Sequence, residues 1–415
     1  MEILFPRCAG LDVHQLTVVA CARIVEAGRV DQEVLTFDTT TKGLFELSDW
    51  LRLKGCTHVA MESTGVYWKP VWHVLEGDFE LVLANASHVR NVPGRKTDVN
   101  DAMWLADLLA HGLIRGSFVP PTPVQELRDL TRTRKQLVRE MARHTQRIQK
   151  TLEDANIKIV GIISDILGKS GRAFLQALVD GESDPEKLAD LAKGRLKASR
   201  EKIVEALRGR VREHHRFMLQ LHLEQIASLE KAIDELERRL GERLEPFREG
   251  VKLLLTIPGI SETTAHVIVS EMGVDISRFP TAQSLISWAG LCPRSDESAG
   301  KRRSTRIRKG AAWLKTTLIQ ASWGAVRKKD SYLRSLFHRL KARRGAMKAI
   351  VAVAAAILTA AYYMLKRQVP YADLGPRHLH QRDRVRAANR LFQRLKEIGV
   401  EVLQVRIADP EPVSL

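Results

Sequence analysis

Two carboxylates stand three residues apart where a loop leads into a helix. Asp98 and Asp101 precede apolar residues at helical spacing, so both side chains fall on one face of that helix. In that position they could serve catalysis by holding a cation. The structural alternative is that Asp98 caps the helix and Asp101 complements its dipole.

Two further carboxylates belong to apolar, strand-like runs. Asp12 lies within residues 8–24, which we predict to form one buried strand, and Glu62 ends the short strand HVAMES. A buried carboxylate is costly unless it is paired or holds a metal, although a backbone group or an arginine can also satisfy a lone Asp. Four such carboxylates in one domain predict a site for Mg²⁺ or Mn²⁺, which could clamp the oxygens of a phosphodiester.

A hydroxyl in a small, glycine-bearing loop adjoins a basic run. Cations beside an exposed serine are what an attack on a phosphodiester needs, because they neutralise the developing charge. Chemistry alone favours the alternative, a phosphate-binding loop whose serines only donate hydrogen bonds. The loop is Ser298–Ala299–Gly300, and the basic residues are Lys301, Arg302, Arg303, Arg306, Arg308 and Lys309.

Predicted strands alternate with predicted helices as far as the proline-rich segment Pro120–Pro123. This pattern predicts an α/β layered domain over residues 1–121. A helical region with an insertion follows over 122–246, and a helical domain that carries the serine loop over 247–370. Residues 371–415 form a basic tail, for which we predict a connector, one helix and a final strand.

The helical region has apolar residues repeated every seven positions, at Leu219, Ile226, Ile233 and Leu240. This repeat predicts a coiled coil. An antiparallel hairpin within one chain and a dimer interface both fit it. The preceding helix is basic, and its cations either face solvent or contact nucleic acid. They are Arg132, Arg134, Lys135, Arg139, Arg143, Arg147 and Lys150.

Two apolar segments mark the third domain. Residues 253–273 resemble a helix-hairpin-helix, with Pro258–Gly259–Ile260 as a turn whose N–H groups could face a phosphate. The uncharged run over 349–365 is short for a membrane span and rich in alanine, and Lys348 and Lys366 flank it closely. We therefore expect a buried helix there, and no membrane association.

The composition points to a polyanionic partner. The 415 residues include 66 Lys and Arg against 49 Asp and Glu, a net charge of +17. Nucleic acid is the usual partner of such a chain, and a solvated or membrane-facing surface is the alternative. The four cysteines are scattered without a C-x-x-C pair, which argues against a disulfide framework or a zinc site. A reducing, intracellular compartment fits this usage, and we expect no signal peptide.

Six motifs occur in an order that is similar to that of a known family. They are GLDVH, AMESTGVYW, KTDVNDAMWLA, TIPGI, WAGLCP and ESAGKRRSTRIRKG. With them the chain resembles the DEDD-type transposases of bacterial insertion sequences, the bridge-RNA-guided serine recombinases. The resemblance implies a RuvC-like, RNase H-fold N-terminal domain, a central coiled coil and a C-terminal transposase domain.

The resemblance also implies the roles of individual residues. The acidic tetrad falls on Asp12, Glu62, Asp98 and Asp101 and binds Mg²⁺. The catalytic serine falls on Ser298, with Ser295 as the neighbouring alternative, and forms a covalent 5′-phosphoserine.

The partners implied by the resemblance are donor and target double-stranded DNA, a structured guide RNA, and further copies of the chain in a dimer or tetramer. The expected location is the bacterial cytoplasm at the nucleoid. Two other functions remain open at this stage. One is a metal-dependent junction nuclease that uses water, and the other is a non-catalytic scaffold that binds nucleic acid.

Overall fold

The structure is a computed structural model that describes residues 2–63, 65–85, 89, 101–192, 198–293, 296–298, 301–304 and 306–397. Within these ranges it describes the backbone alone for residues 296–298, 302–303, 380–387 and 390. The chain divides into two compact units, Met1–Val119 and Pro120–Leu415. The finer division into four segments stays a prediction.

The first unit is built on a five-stranded sheet in the order β3-β2-β1-β4-β5. β1, β2 and β3 pair antiparallel, whereas β4 joins parallel to β1 and β5 parallel to β4. The alternation of strands and helices confirms the predicted α/β character. The elements are β1 (Arg7–Val13), β2 (Thr17–Glu26), β3 (Arg29–Asp38), α1 (Thr41–Leu53), β4 (His58–Glu62), α2 (Trp68–Leu75), β5 (Glu80–Ala84) and α3 (Asp101–Ala110).

The single strand predicted over residues 8–24 is wrong, because this segment forms most of β1 and β2. The chain reverses between them, where the N–H of His14 donates to the carbonyl of Thr17 at 2.9 Å. His14 and Gln15 are exposed at this turn. Folding back lets the apolar residues of both strands lie side by side in one sheet, whereas a strand of 17 residues would exceed the usual length of about 3–10.

The two faces of the sheet pack against different helices. Leu11 and Met61 point to the face that α1 and α2 cover, where the main hydrophobic core of the unit lies. Cys8 and Gly10 point to the opposite face, which α3 covers. Because side chains alternate along a strand, Asp12 belongs to the α3 face.

Two long helices, α4 and α8, organise the second unit as an antiparallel pair. Their contacts run in opposite order along the two helices. Arg134 of α4 bonds to Glu237 of α8, and His144, further along α4, contacts His222, which comes earlier in α8. The coiled-coil interpretation and the dimer alternative stay predictions. The elements are α4 (Thr122–Asp154), α5 (Lys169–Val179), α6 (Pro185–Asp190), α7 (Arg200–Leu207) and α8 (Glu213–Leu244).

The stretch between α4 and α8 forms a hydrophobic core at one end of the helix pair. Phe174 of α5 and Leu188 of α6 pack there with Leu152 of α4 and Leu219 of α8, and all four are buried. The predicted insertion therefore stabilises the end of the pair. No role beyond this support follows from its contacts.

Helices α9, α11, α12 and α13 pack against α14, which is the long alanine-rich segment. Tyr362 of α14 is buried and donates to the carbonyl of Phe279 at 3.0 Å. Its length and composition would also suit a membrane span, but 56% of its most apolar window is buried inside the protein, as expected for a core helix. The elements are α9 (Arg248–Leu255), α10 (Glu262–Met272), α11 (Ala282–Ala289), β6 (Asp296–Ser298), β7 (Lys301–Ser304), α12 (Ala312–Ala325), α13 (Tyr332–Arg344), α14 (Ala346–Arg367) and α15 (His378–Glu397).

The mostly helical second unit agrees with the prediction. The helix predicted in the C-terminal tail is α15. The final strand predicted after it lies outside the described residues.

The buried His222 is expected to make the helix pair sensitive to acid. His222 is buried, and its Nδ1 lies 3.3 Å from Nδ1 of His144. Burial, followed by the nearby charges of His144 and Arg147, lowers the pKa of His222 below its ordinary value of 6.5. The unfolded chain therefore binds more protons than the folded chain as the pH falls below that value, so acid destabilises the fold.

We expect His222→Gln to weaken this acid sensitivity. Wild-type protein should lose more free energy of unfolding between pH 7.5 and pH 5.5 than the variant loses, because a glutamine side chain cannot take up a proton in this range. Urea titrations at the two pH values measure both losses. Equal losses would show that His222 does not cause the acid sensitivity.

Candidate active site

Asp12 and Glu62 lie at the same end of two neighbouring parallel strands. The register pairs Leu11 of β1 with Met61 of β4, so the next residues along the two strands are Asp12 and Glu62. Both belong to the face that α3 covers, since Gly10 and Ala60 pair two residues earlier. The sheet thus brings these two predicted site residues together, at a strand separation of about 4.8 Å.

Helix α3 packs on this face with its backbone against β1. A Cβ built on Gly10 would lie 2.2 Å from the carbonyl oxygen of Ala102 and 2.4 Å from the amide nitrogen of Ala106. The thiol of Cys8 donates to the carbonyl of Ala106 at 3.5 Å. Only glycine permits this approach.

The same contacts set the direction of α3. Moving from Cys8 to Gly10 along β1 corresponds to moving back from Ala106 to Ala102 along α3, and the two steps are about equally long. The N-terminal turn of α3 is therefore directed toward the Asp12 end of the strand. Asp101, the first residue of α3, starts that turn. Asp98 lies outside the described residues.

The cysteines near this end of the sheet are structural. Burial raises the pKa of Cys8 to about 12 and that of Cys21 to about 11, so both thiols stay protonated. All four cysteines are free thiols.

The predicted nucleophile lies in a short β-hairpin of the second unit. β6 and β7 pair antiparallel, and Ser298 is opposite Lys301, next to the turn. A further bridge joins Pro293 to Ile307 and extends the ladder away from the turn. Ser295 lies outside the described residues, and the structure gives the backbone alone for Ser298.

The base of this hairpin is fixed by two glycines. Gly290, with φ +72°, ends α11, and Gly310, with φ +50°, precedes α12. A Cβ on Gly310 would lie 2.4 Å from the amide nitrogen of Gly290, so the two backbones touch. Lys315 of α12 donates to the carbonyls of Arg308 at 2.9 Å and Lys309 at 2.6 Å, which holds the second strand of the hairpin against α12.

The basic residues of the hairpin face solvent where their side chains are described. Lys301, Arg306, Arg308 and Lys309 are exposed. Arg308 also donates to the hydroxyl of Ser287 in α11 at 3.3 Å. Arg302 and Arg303 lie on β7, and only their backbone is described. Exposed cations around a turn suit contact with a polyanion.

Two family models match the parts of the chain that contain the predicted carboxylates and the hairpin. Residues 9–157 match a family model described as a DEDD-type IS110 transposase. Residues 251–338 match a family model described as a transposase of the IS116/IS110/IS902 family. The two matches together span more than half of the chain. The chain belongs to the DEDD-type insertion-sequence transposases. A search of curated proteins finds no match to it.

Membership of the DEDD-type transposases implies three properties. The first unit has an RNase H-like fold, the activity depends on a divalent metal, and the substrate is DNA. The first family match includes all four predicted carboxylates, and the second includes Ser298. The role of each residue in this transposase stays a prediction.

The residue types at the end of the sheet fit a divalent metal. Asp12 keeps 26% of its side chain exposed, and its Oδ2 lies 3.2 Å from Nε2 of His14. In the described part of the chain, no group of three His, Cys, Asp or Glu side chains is arranged to hold an ion. Mg²⁺ commonly takes one or two carboxylates and completes its shell with water and phosphate oxygens. Asp12 and Glu62 supply oxygen ligands of that kind.

The predicted helix-hairpin-helix turn serves packing in this transposase. Gly259 has φ +81°, and a Cβ there would lie 2.4 Å from the amide nitrogen of Ala325 and 2.5 Å from the carbonyl oxygen of Ala321. The turn between α9 and α10 is therefore seated on the backbone of α12. Contact of this turn with a phosphate stays a prediction.

Two features escaped the sequence analysis. The first is Gly10, although a glycine within an apolar strand is itself a signal of close backbone approach. The second is Trp313, whose ring is surrounded by the α4 cations Arg132, Lys135 and Arg139. The spacing of these three cations places them on one helical face, but nothing local indicates the aromatic partner.

We expect Gly10→Ala to destabilise the first unit by about 1–3 kcal/mol, because the added methyl group meets the backbone of α3 rather than a flexible side chain. Gly116→Ala is the matched control, since its Cβ would lie 3.6 Å from a methyl of Val82, an ordinary contact. Urea unfolding of both variants measures the difference. Equal stability of the two variants would contradict the tight contact.

Proposed function

We propose that this transposase cuts and rejoins insertion-sequence DNA with Ser298 as its nucleophile. The observation that carries the proposal is the pairing of Ser298 with Lys301 beside the hairpin turn. Opposite residues in an antiparallel ladder have Cα atoms about 4.5–5.5 Å apart. A lysine beside a serine would favour the alkoxide form of the hydroxyl and offset charge on a phosphodiester.

The proposed step exchanges one phosphoester bond for another. The Ser298 Oγ attacks the phosphorus and loses its proton, while the bond from phosphorus to the 3′-oxygen breaks and that oxygen leaves as a protonated 3′-hydroxyl. The products are a 5′-phosphoserine and a free 3′-end. Attack by the 3′-hydroxyl of another strand on the phosphoserine reverses the exchange and rejoins DNA without an external energy source.

The carboxylates Asp12, Glu62, Asp98 and Asp101 would hold Mg²⁺ or Mn²⁺ near the scissile phosphate. When bound, the ion supplies charge neutralisation at the phosphate oxygens. The shared strand-end position of Asp12 and Glu62 supports this role. The direction of α3 supports the inclusion of Asp101.

The partners in this proposal follow the family resemblance. A structured guide RNA pairs with donor and target DNA, and two or four copies of the chain bring the strands together at the bacterial nucleoid. A net charge of +17 suits a protein that neutralises several phosphate backbones at once.

Two other functions predict different chemistry. A RuvC-like junction nuclease would use its carboxylates to activate water, and Ser298 would only bind phosphate. A scaffold would bind nucleic acid in a salt-sensitive manner without cutting it. The serine variant separates the first of these from our proposal, and strand scission separates the second.

Ser298→Ala should abolish a covalent protein–DNA adduct. The protein, its flanking RNA and Mg²⁺ are incubated with labelled junction DNA, denatured and run on a gel. Wild type should give a labelled adduct, and the variant should lose it entirely, because alanine has no nucleophilic oxygen.

Two further variants control this experiment. Ser304→Ala changes a serine of the same hairpin and should keep the adduct. Ser295→Ala tests the neighbouring hydroxyl, and loss of the adduct in that variant alone would move the nucleophile to Ser295. Cleavage without an adduct, unchanged in Ser298→Ala, would contradict the serine mechanism and leave the metal nuclease.

Asp12→Asn and Glu62→Gln should each weaken metal binding at least about tenfold, because each replaces an anionic oxygen ligand by an amide. Titration of the protein with Mn²⁺ by calorimetry measures the binding, and the trapping assay at increasing Mg²⁺ measures its consequence. Asp31→Asn, an exposed carboxylate on β3, is the control. Equal Mn²⁺ affinity in all three variants would remove the sheet end as the metal site.

A further inference from the structure

Three cations of α4 surround one tryptophan of α12. The ring centroid of Trp313 lies 5.8 Å from Cζ of Arg132, 5.7 Å from Nζ of Lys135 and 5.5 Å from Cζ of Arg139. These four residues form the Trp313 cluster. Each cation lies over the ring, whose face attracts positive charge, but the three positive charges repel one another.

The cations of the cluster differ in their other partners. Arg132 donates two hydrogen bonds to the buried carboxylate of Glu271, at 2.8 and 2.9 Å. Lys135 donates to the hydroxyls of Thr316 at 2.9 Å and Thr317 at 3.1 Å. Over the described ranges, neither Lys135 nor Arg139 has a carboxylate within ion-pair distance.

This arrangement is unfavourable in the protein alone. Lys135 and Arg139 are one helical turn apart, where like charges destabilise a helix. Burial, followed by the charge of Arg139, lowers the pKa of Lys135, and the charge of Glu271 opposes this shift only in part. A negatively charged ligand would compensate both cations.

The cluster adjoins the serine hairpin. Trp313 is the second residue of α12, and Lys309 of the hairpin base precedes it by four positions. Lys315 bonds the hairpin to the same end of α12 through the carbonyls of Arg308 and Lys309. One continuous structural segment therefore carries both the hairpin and the tryptophan.

Room for a ligand lies beside the cluster. Lys135 and Arg139 line a cavity of about 680 Å³ between α4, α8, α10 and α12. Hydroxyl groups of Ser261 and Thr263 and the amide of Gln320 also line it, as do the carboxylates of Glu262 and of Glu237, which is paired with Arg134. Cations, hydroxyls and an amide together are the groups that contact phosphate oxygens in nucleic-acid complexes.

We propose that Lys135 and Arg139, positioned by Trp313, bind the phosphodiester backbone of the DNA strand that continues from the phosphate attacked by Ser298. The proposal rests on the proposed function for the identity of this strand. DNA is the occupant because the hairpin and the cluster share one segment, so a strand at the hairpin leads directly to α12. Trp313 is a positioning residue, since three cations occupy its surroundings and leave it no role as a stacking platform.

DNA affinity of full-length Ser298→Ala protein tests the proposal, because this background separates binding from cleavage. Adding Arg139→Gln should weaken binding of labelled junction DNA by about tenfold, in line with the loss of a charge-assisted contact. The slope of log Kd against log salt should fall by about 0.9 if the lost contact is to duplex and about 0.7 if it is to a single strand. Fluorescence anisotropy at several salt concentrations gives both quantities.

Arg239→Gln on α8 is the matched control, since it removes the same charge from an exposed helical position. It should leave the salt slope nearly unchanged. The melting temperature of Arg139→Gln should equal or exceed that of its parent, because repulsion within the cluster is relieved. Equal affinities and slopes for Arg139→Gln and Arg239→Gln would overturn the proposal.

Variants of the tryptophan test its positioning role. Trp313→Leu should weaken DNA binding and Trp313→Phe should restore most of it, because phenylalanine keeps an aromatic ring near the cations. Equal weakening by both variants would overturn the role of the ring. Loss of affinity for the flanking RNA alone, with DNA binding unchanged, would overturn DNA as the occupant.

These results are independent of the serine mechanism. If no adduct forms in wild type but Arg139→Gln weakens DNA binding, the proposed function fails and the binding site stands. If the adduct forms and Arg139→Gln binds DNA as its parent does, the proposed function stands and the binding site fails.

Discussion

The direct contact between the backbones of α3 and β1 at Gly10 determines the geometry of the first unit. With no side chain between them, the helix is held at one height and in one direction on the sheet. Carboxylates repel one another when no cation is bound, so Asp12 and Glu62 cannot assemble a site by mutual attraction. The sheet register places Asp12 and Glu62 side by side, and the glycine contact directs the start of α3 toward them. The packing energy of the hydrophobic core offsets the repulsion between the carboxylates.

The hairpin of the second unit follows the same principle. Gly290 and Gly310 join its base to α11 and α12 through backbone contact. In both units, backbone contact at a glycine fixes the element that carries predicted site residues. The packing contacts that stabilise these elements therefore lie away from the predicted site residues.

Local patterns in the sequence were sufficient for much of this description. Apolar runs located β4 with Glu62 at its end, and helical spacing located α3 with Asp101 in its first turn. The same apolar signal merged β1 and β2 into one strand, because apolar residues continue through both and only the turn at His14 separates them. The contact of Trp313 with α4 could not be predicted, since it joins residues far apart in the chain and depends on how α12 packs against α4.

Charge in the second unit separates into two classes with different physical consequences. Glu271 is almost fully buried and is held by two hydrogen bonds from Arg132, so removing either partner would leave a costly charge in the core. Burial lowers the pKa of neighbouring Arg128 to about 10, yet its guanidinium donates to the carbonyl of Ser270 at 3.1 Å, and both interactions attach α4 to α10. Lys135 and Arg139 lie close by, and among the described residues neither has a carboxylate within ion-pair distance. Arg128 and Arg132 thus have partners within the fold and contribute to its stability. The charges of Lys135 and Arg139, on the same helix, gain favourable interactions when a polyanion binds.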